Sequence, residues 1–133
     1  LMDLACTRSG DKGDSSNIGV VFEYNDVYNW AVDNITADVV KKHLNGIAKA
    51  AVIRYELPNL LALNFIIKES LEGGGSDSLL HDAQGKTHGQ LLLLLELDVP
   101  ETFCEYLYSF NDEYLRKNDK AQTRKKHLYY YFK

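Results

Sequence analysis

Cysteine is nearly absent. Cys6 and Cys104 are the two in 133 residues, too few for a disulfide framework and at no metal-binding spacing. The expected setting is therefore a reducing compartment, the cytoplasm or an organellar matrix, with both thiols free. No charged, then apolar, then small-residue leader opens the chain, and secretion would call for one. Long apolar runs are missing too. The longest, Leu91–Leu95, falls far short of the roughly 20 residues of a membrane-spanning helix. Four histidines, at 43, 81, 88 and 127, show no zinc spacing. His81 and His88 would stand about 10 Å apart on a helix, too far to share one ion. Nothing in these spacings calls for a metal or a cofactor.

What is present is the make-up of one globular domain. A chain of this length can bury roughly two-thirds of its unfolded surface. With 45% hydrophobic and 26% charged residues, it is neither a disordered tail nor a collagenous segment. The net charge of −4 hides an asymmetry. Leu1–Leu115 carries 8 Lys and Arg against 18 Asp and Glu, a net of −10. Arg116–Lys133 carries 7 basic residues against Asp119 alone, a net of +6. The acidic body repels nucleic acid and anionic membrane, so neither is expected as a partner. The basic tail can pair with an acidic body, its own or a neighbour's.

Along the chain, the opening LMDLAC reads as a short strand with Met2, Leu4 and Cys6 on one face. The polar TRSGDKGDSSN that follows reads as a loop. Ile18–Tyr24 is β-branched and aromatic, a better strand. Asn25 and Asp26 can cap a short helix over Val27–Val32, and Thr36 a second carrying Val39, Val40, Leu44 and Ile47 on one face. Ala50–Tyr55 and Ala62–Lys68 read as an antiparallel pair bent at Pro58. Leu79–His81 can add a few strand residues. Asp82 can cap a helix from Ala83 through the leucines, although DAQG also suits a hairpin turn with Thr87–Val99 as a strand. Glu96–Val99 reads as a last short strand. From Glu101, Phe103, Tyr106, Leu107 and Phe110 have the spacing of a helix face. The order strand, helix, strand, strand, helix, strand is a split βαββαβ unit. The expected fold is thus an α+β, ferredoxin-like sandwich over 1–100, with an extra N-terminal strand and a helical, then basic and aromatic, extension over 101–133. Val20, Phe22, Val40, Leu44, Ile53, Phe65, Ile67 and Leu92 are the expected core.

Three blocks, RSGDKGDSSNIGV (Arg8–Val20), RYELPNLLALNFIIKESLEGGGSDSL (Arg54–Leu79) and HDAQGKTHGQLL (His81–Leu92), together resemble the AtuA-like ferredoxin family. This is the C-terminal domain of acyclic terpene utilisation proteins, which also occurs as a free-standing small protein. The resemblance spans Leu4 to Pro100. It implies a ferredoxin-like fold, a helix over Ala83–Leu95, and a link to the breakdown of branched terpenoid acids through acyl-CoA intermediates. It also implies a module that works beside a larger protein.

Two stretches are candidate sites. In Arg8–Asn17, Gly10 and Gly13 allow positive φ, so backbone N–H groups can converge on an anion. Arg8, Ser9, Lys12, Ser15, Ser16 and Asn17 add donors. Asp11 and Asp14 neutralise the two cations, and a self-paired turn is the alternative. In the second stretch, Gly73, Gly74 and Gly75 let a backbone approach a ligand closely, while Ser76, Asp77 and Ser78 supply polar groups; a flexible connection is the alternative. The two stretches are expected side by side, with Arg8 or Lys12 touching Asp77 or a carbonyl of the glycines. Gly85-Lys86-Thr87 mimics the end of a P-loop, but Leu80 stands where its first glycine should, which excludes nucleotide binding of that kind. Asn64, alone in an apolar strand, must find a partner. Arg54 can hold Glu56 or a carboxylate of the first stretch. No Ser/His/Asp or Cys/His set follows from spacing.

The functional expectation is an accessory, partner-binding domain. The alternative is a small enzyme or a binder of acyl-CoA or another anionic ligand, acting through the two glycine-bearing loops. Self-association is expected as well. Tyr129, Tyr130, Tyr131 and Phe132 would form an apolar patch if solvated, and such rings favour interfaces.

Overall fold

A computed structural model describes residues 1–74, 77–103 and 106. The chain divides into two compact units, Leu1–Leu97 and Asp98–Lys133. In the first, the elements run β1 (Ala5–Lys12), β2 (Ser15–Phe22), α1 (Asn25–Asn34), α2 (Ala37–His43), β3 (Val52–Leu57), β4 (Ala62–Ile67) and α3 (His88–Leu93). The strands form one antiparallel sheet in the order β1-β2-β4-β3. This is the expected α+β, ferredoxin-like class.

The polar stretch Thr7–Asn17 is not a loop. It forms most of a β1–β2 hairpin, paired from Ala5↔Phe22 to Lys12↔Ser15 and turning on Gly13 and Asp14. Gly13 has φ 64°, and glycine at the first position of a two-residue turn is what the type II′ geometry requires. The hydrophobic alternation that marks a strand is missing for a physical reason. On the inward face, Ser9 and Ser16 are buried and satisfied by hydrogen bonds, so no apolar residue announces them.

The strand expected at Glu96–Val99 does not form. β1 already lines the whole of β2, leaving no backbone donors or acceptors on that side for a further strand. The extra N-terminal strand thus occupies the edge where a closing strand would lie. Leu79–His81 adds no strand either. The expected helix over Ala83–Leu95 shortens to six residues. Asp82 side-chain oxygens accept from the N–H groups of Lys86 and Thr87, at 2.8 and 2.7 Å, and Gly85 has φ 60°. Residues 82–87 therefore close into a turn before helix begins.

The helix positions are largely as expected. Thr36 caps α2, its hydroxyl accepting from Val39 N at 3.3 Å. The first helix extends from Asn25 to Asn34, so Asn25 and Asp26 lie inside its first turn rather than capping it; Tyr24 stands at the N-cap, and the Asp26 carboxylate accepts from Val27 N. Ile18, Val20 and Phe22 of β2 and Leu63, Phe65 and Ile67 of β4 build the core with Val27, Ala31, Val40, Leu44 and Leu92. Ile53 is the exception among the expected core residues, 39% exposed. Its neighbours Val52 and Arg54 take the inward phase. Arg54 Nη1 donates to the carbonyls of Val32 and Ile35 at the end of α1, while Nη2 pairs with Glu56 at 2.6 Å. A cation at the C-terminal end of a helix meets carbonyls that lack intrahelical donors.

The opposite face of the sheet is divided. Along β3 and the end of β2 it carries Ile53, Tyr55, Leu57 and Val21, all exposed. Along β1 it carries Arg8, Gly10 and Lys12, beside the exposed Cys6 thiol. In the second unit, Glu101–Phe103 forms a 3-10 turn and the Phe103 ring lies 6.1 Å from that of Tyr106. Cys104, the remainder of the helix expected from Glu101, and the basic aromatic tail lie outside the described residues. Among the described residues no helix is long and apolar enough to cross a membrane.

Candidate functional site

The two glycine-bearing stretches do meet. The Asp14 carbonyl accepts from Ser70 N and Leu71 N, at 3.0 and 3.2 Å, and its carboxylate accepts from Gly73 N at 2.7 Å. Gly74 presses so closely on Gly13 that a Cβ there would overlap the Gly13 carbonyl. The contact comes from Asp14 and the turn backbone rather than from Arg8 or Lys12, because those two side chains stand on the outer face of the hairpin. Asp14 therefore acts as a clasp. Asp77 folds back locally, its N–H donating to the Gly74 carbonyl at 2.9 Å. Gly75 and Ser76 lie outside the described residues.

Behind the hairpin lies a buried polar chain that sequence reading missed. Ser16 Oγ lies 2.8 Å from His88 Nδ1 and accepts from Ser70 Oγ at 3.0 Å. Ser70 Oγ in turn accepts from Ser16 N at 2.9 Å. Burial pushes the His88 pKa below the ordinary imidazole value, and the nearby Asp82 carboxylate pulls it partly back. For Asp82 itself, burial raises the pKa, but the Thr87 hydroxyl and the N–H groups of Thr87 and Lys86 outweigh it, leaving the carboxyl acidic. Serine, imidazole and carboxylate are thus neighbours, but Ser16 is wholly buried. An attacking hydroxyl must reach substrate, so the chain is a structural joint between β2, β4 and the segment leading into α3. Only Ser16, in alternate phase with Ile18, Val20 and Phe22, hints at it in the sequence.

Ser9 performs a similar task at the edge. Its hydroxyl lies 2.6 Å from the Gly85 carbonyl and 3.0 Å from that of Lys86, and accepts from Gly89 N at 2.9 Å. The Lys86 side chain then passes round β1 to the outer face, where a Cβ on Gly10 would stand 3.3 Å from its Nζ. An open hollow of about 350 Å³ results, lined by Arg8, Gly10, Lys12, Asn17, Gly19 and Lys86, with Ser9 and Asp11 at its margin. Asn64 finds its partner nearby: Asn17 Nδ2 donates to Asn64 Oδ1 at 3.2 Å. Of the candidate residues, Arg8, Ser9, Asp11, Lys12 and Asn17 share this hollow. Ser16 belongs to the buried chain, Ser15 to the start of β2, and the glycine loop to the clasp.

Compared with known protein families, residues 1–98 match the AtuA ferredoxin-like domain. The chain belongs to that family. No curated protein and no solved structure matches it. The matched span includes the hairpin, the clasp, the buried serine–histidine chain and the hollow, so all four are features of this AtuA ferredoxin-like domain rather than of the extension. In this AtuA-like chain the extra strand β1 supplies two of the three cations that line the hollow, Arg8 and Lys12, and the turn before α3 supplies the third, Lys86.

Proposed function

We propose that this AtuA-like domain is an accessory module that docks a larger protein through the outer face of its sheet. One observation carries the reading. The helices pack on one face, while the other leaves Tyr55 51% and Val21 50% exposed, with Ile53 and Leu57 beside them. Four large apolar side chains on one strip of sheet form the kind of patch that marks a protein contact. Among the described residues no accessible catalytic set accompanies it, since the serine–histidine pair there, Ser16 and His88, is buried. The family resemblance favours, as that partner, a protein of branched terpenoid-acid breakdown through acyl-CoA intermediates.

The test is purification from the native source, with the mass of the intact complex read by native mass spectrometry. A larger subunit in fixed stoichiometry is expected, and Tyr55→Asp with Leu57→Asp should release it without lowering the melting temperature. Retention of the partner by that double variant removes the outer face from the reading. A monomeric wild-type chain removes the partner altogether. A second reading, a binder of anionic ligands that acts alone, draws on the cationic hollow beside β1.

A further inference from the structure

We infer that the hollow on the outer side of β1 is a binding site for a phosphoryl group, held by Arg8, Lys12 and Lys86. These three cations face one carboxylate, Asp11, at the margin of the hollow. Among the described residues none of the three forms an ion pair; the two pairs present are Lys49–Glu72 and Arg54–Glu56. In a body of net −10, three cations gathered without carboxylate partners make a local reversal of the field, and such a reversal concentrates anions.

The arrangement is built rather than incidental. Lys86 comes from a distant turn, and its backbone is fixed at both ends. Its N–H donates to the Asp82 carboxylate at 2.8 Å, and its carbonyl accepts from Ser9 Oγ at 3.0 Å. The floor of the hollow is Gly10 and Gly19. Neither has positive φ, so neither is glycine for the sake of its backbone. A Cβ on Gly10 would meet only the end of Lys86, and one on Gly19 only a backbone oxygen at 3.8 Å. What the two glycines leave is room. The volume, about 350 Å³, is that of a small-ligand site.

The charge selects the class of ligand. Three cations against one carboxylate leave an excess of two, which a dianionic phosphoryl group matches and a single carboxylate does not. Arg8 can engage two oxygens through its planar fork, and the lysines supply point charges around the third. The glycine loop Gly73–Gly74 does not line this hollow. The site thus differs from the paired-loop site expected from the sequence, and it is independent of the apolar strip along β3.

The experiment is a titration of the full, ¹⁵N-labelled chain with inorganic phosphate at mildly alkaline pH and constant ionic strength, with acetate as the second probe. The expected result is saturable movement of the Gly10, Asn17 and Lys86 amide signals with phosphate. Lys86→Met should weaken binding about fivefold, the equivalent of one partly exposed charge contact. Lys42→Met, which removes the same charge on α2, should leave binding unchanged. Gly10→Val fills the floor and crowds the Lys86 ammonium group without removing any charge, and it should abolish saturation while the melting temperature holds. Shifts that rise linearly without saturating, or equal weakening by Lys86→Met and Lys42→Met, overturn the site. So does unchanged binding by Gly10→Val. Acetate binding as tight as phosphate overturns the phosphoryl assignment.

Discussion

Three glycines offer a measure of how firmly the hairpin turn is clasped to the loop after β4. Gly46 has neither positive φ nor an atom within 4 Å of an added Cβ, so Gly46→Ala should stabilise by about 0.4–1 kcal/mol through the unfolded chain. Gly13 has open space but φ 64°. Left-handed backbone costs an alanine about 1–2 kcal/mol, partly offset by the same unfolded-state gain, for a net loss of about 1 kcal/mol. Gly74 combines φ 77° with a Cβ position overlapping the Gly13 carbonyl oxygen and only 2.7 Å from its carbon. Those atoms are backbone, held by two hydrogen bonds to the Asp14 carbonyl and one to its carboxylate, so they cannot yield like a side chain. Overpacking of this kind adds about 1–3 kcal/mol, and Gly74→Ala should lose about 2–4 kcal/mol in all. Urea unfolding followed by Trp30 fluorescence reads the series. At a slope of about 1.5 kcal/mol per M, a 3 kcal/mol loss lowers the midpoint by about 2 M. A Gly74→Ala loss within 0.5 kcal/mol of Gly13→Ala, about the additivity error of such data, would refute the clasp, because the loop would then have moved aside at little cost.

Phe65 is wholly buried in the middle of the core, and Phe65→Ala should cost about 3–5 kcal/mol by the same unfolding assay, against under 1 kcal/mol for Ile53→Ala on the outer face; the reverse order would mean the phase of the sheet is wrong. His88 should make stability fall in weak acid. Its folded pKa is lowered, chiefly by burial, so the unfolded chain takes up a proton near pH 6.5 while the folded chain waits for lower pH. Between the two values stability declines as pH falls, by at most about 1.4 kcal/mol per pH unit, and above them His88 adds no pH dependence. Comparing His88→Gln with the parent across that window checks it, and an unchanged slope rejects it. The full chain is expected to self-associate through its tail, since a segment of +6 lying on a body of −10 relieves self-repulsion. Ending the chain after Leu115 should lower the mass in solution, and salt should lower that of the full chain. A full-length monomer at low salt sinks the idea.

Much of this domain is written in apolar periodicity. β2 from Ile18 to Phe22, β4 from Ala62 to Ile67, the capped helix after Thr36 and the β3–β4 bend at Pro58 are legible because each buries one side against a common core, and burial leaves a period of two or of 3.6 in the sequence. The family blocks and the asymmetry of charge are legible for the same reason, being properties of the chain itself. The hairpin of Arg8–Asn17 is not, because its inward positions are serines satisfied by Gly85, Lys86, Ser70 and His88, residues some 50 to 80 positions away. No local pattern encodes a partner at that distance. Nor could the strand at Glu96–Val99 be ruled out locally, since what excludes it is competition with β1 for one edge of β2. In the sequence, Lys86 stands only in a P-loop mimic that Leu80 rules out. Only the fold brings its ammonium group over Gly10, because a side chain's neighbours across a sheet edge depend on which strand takes that edge.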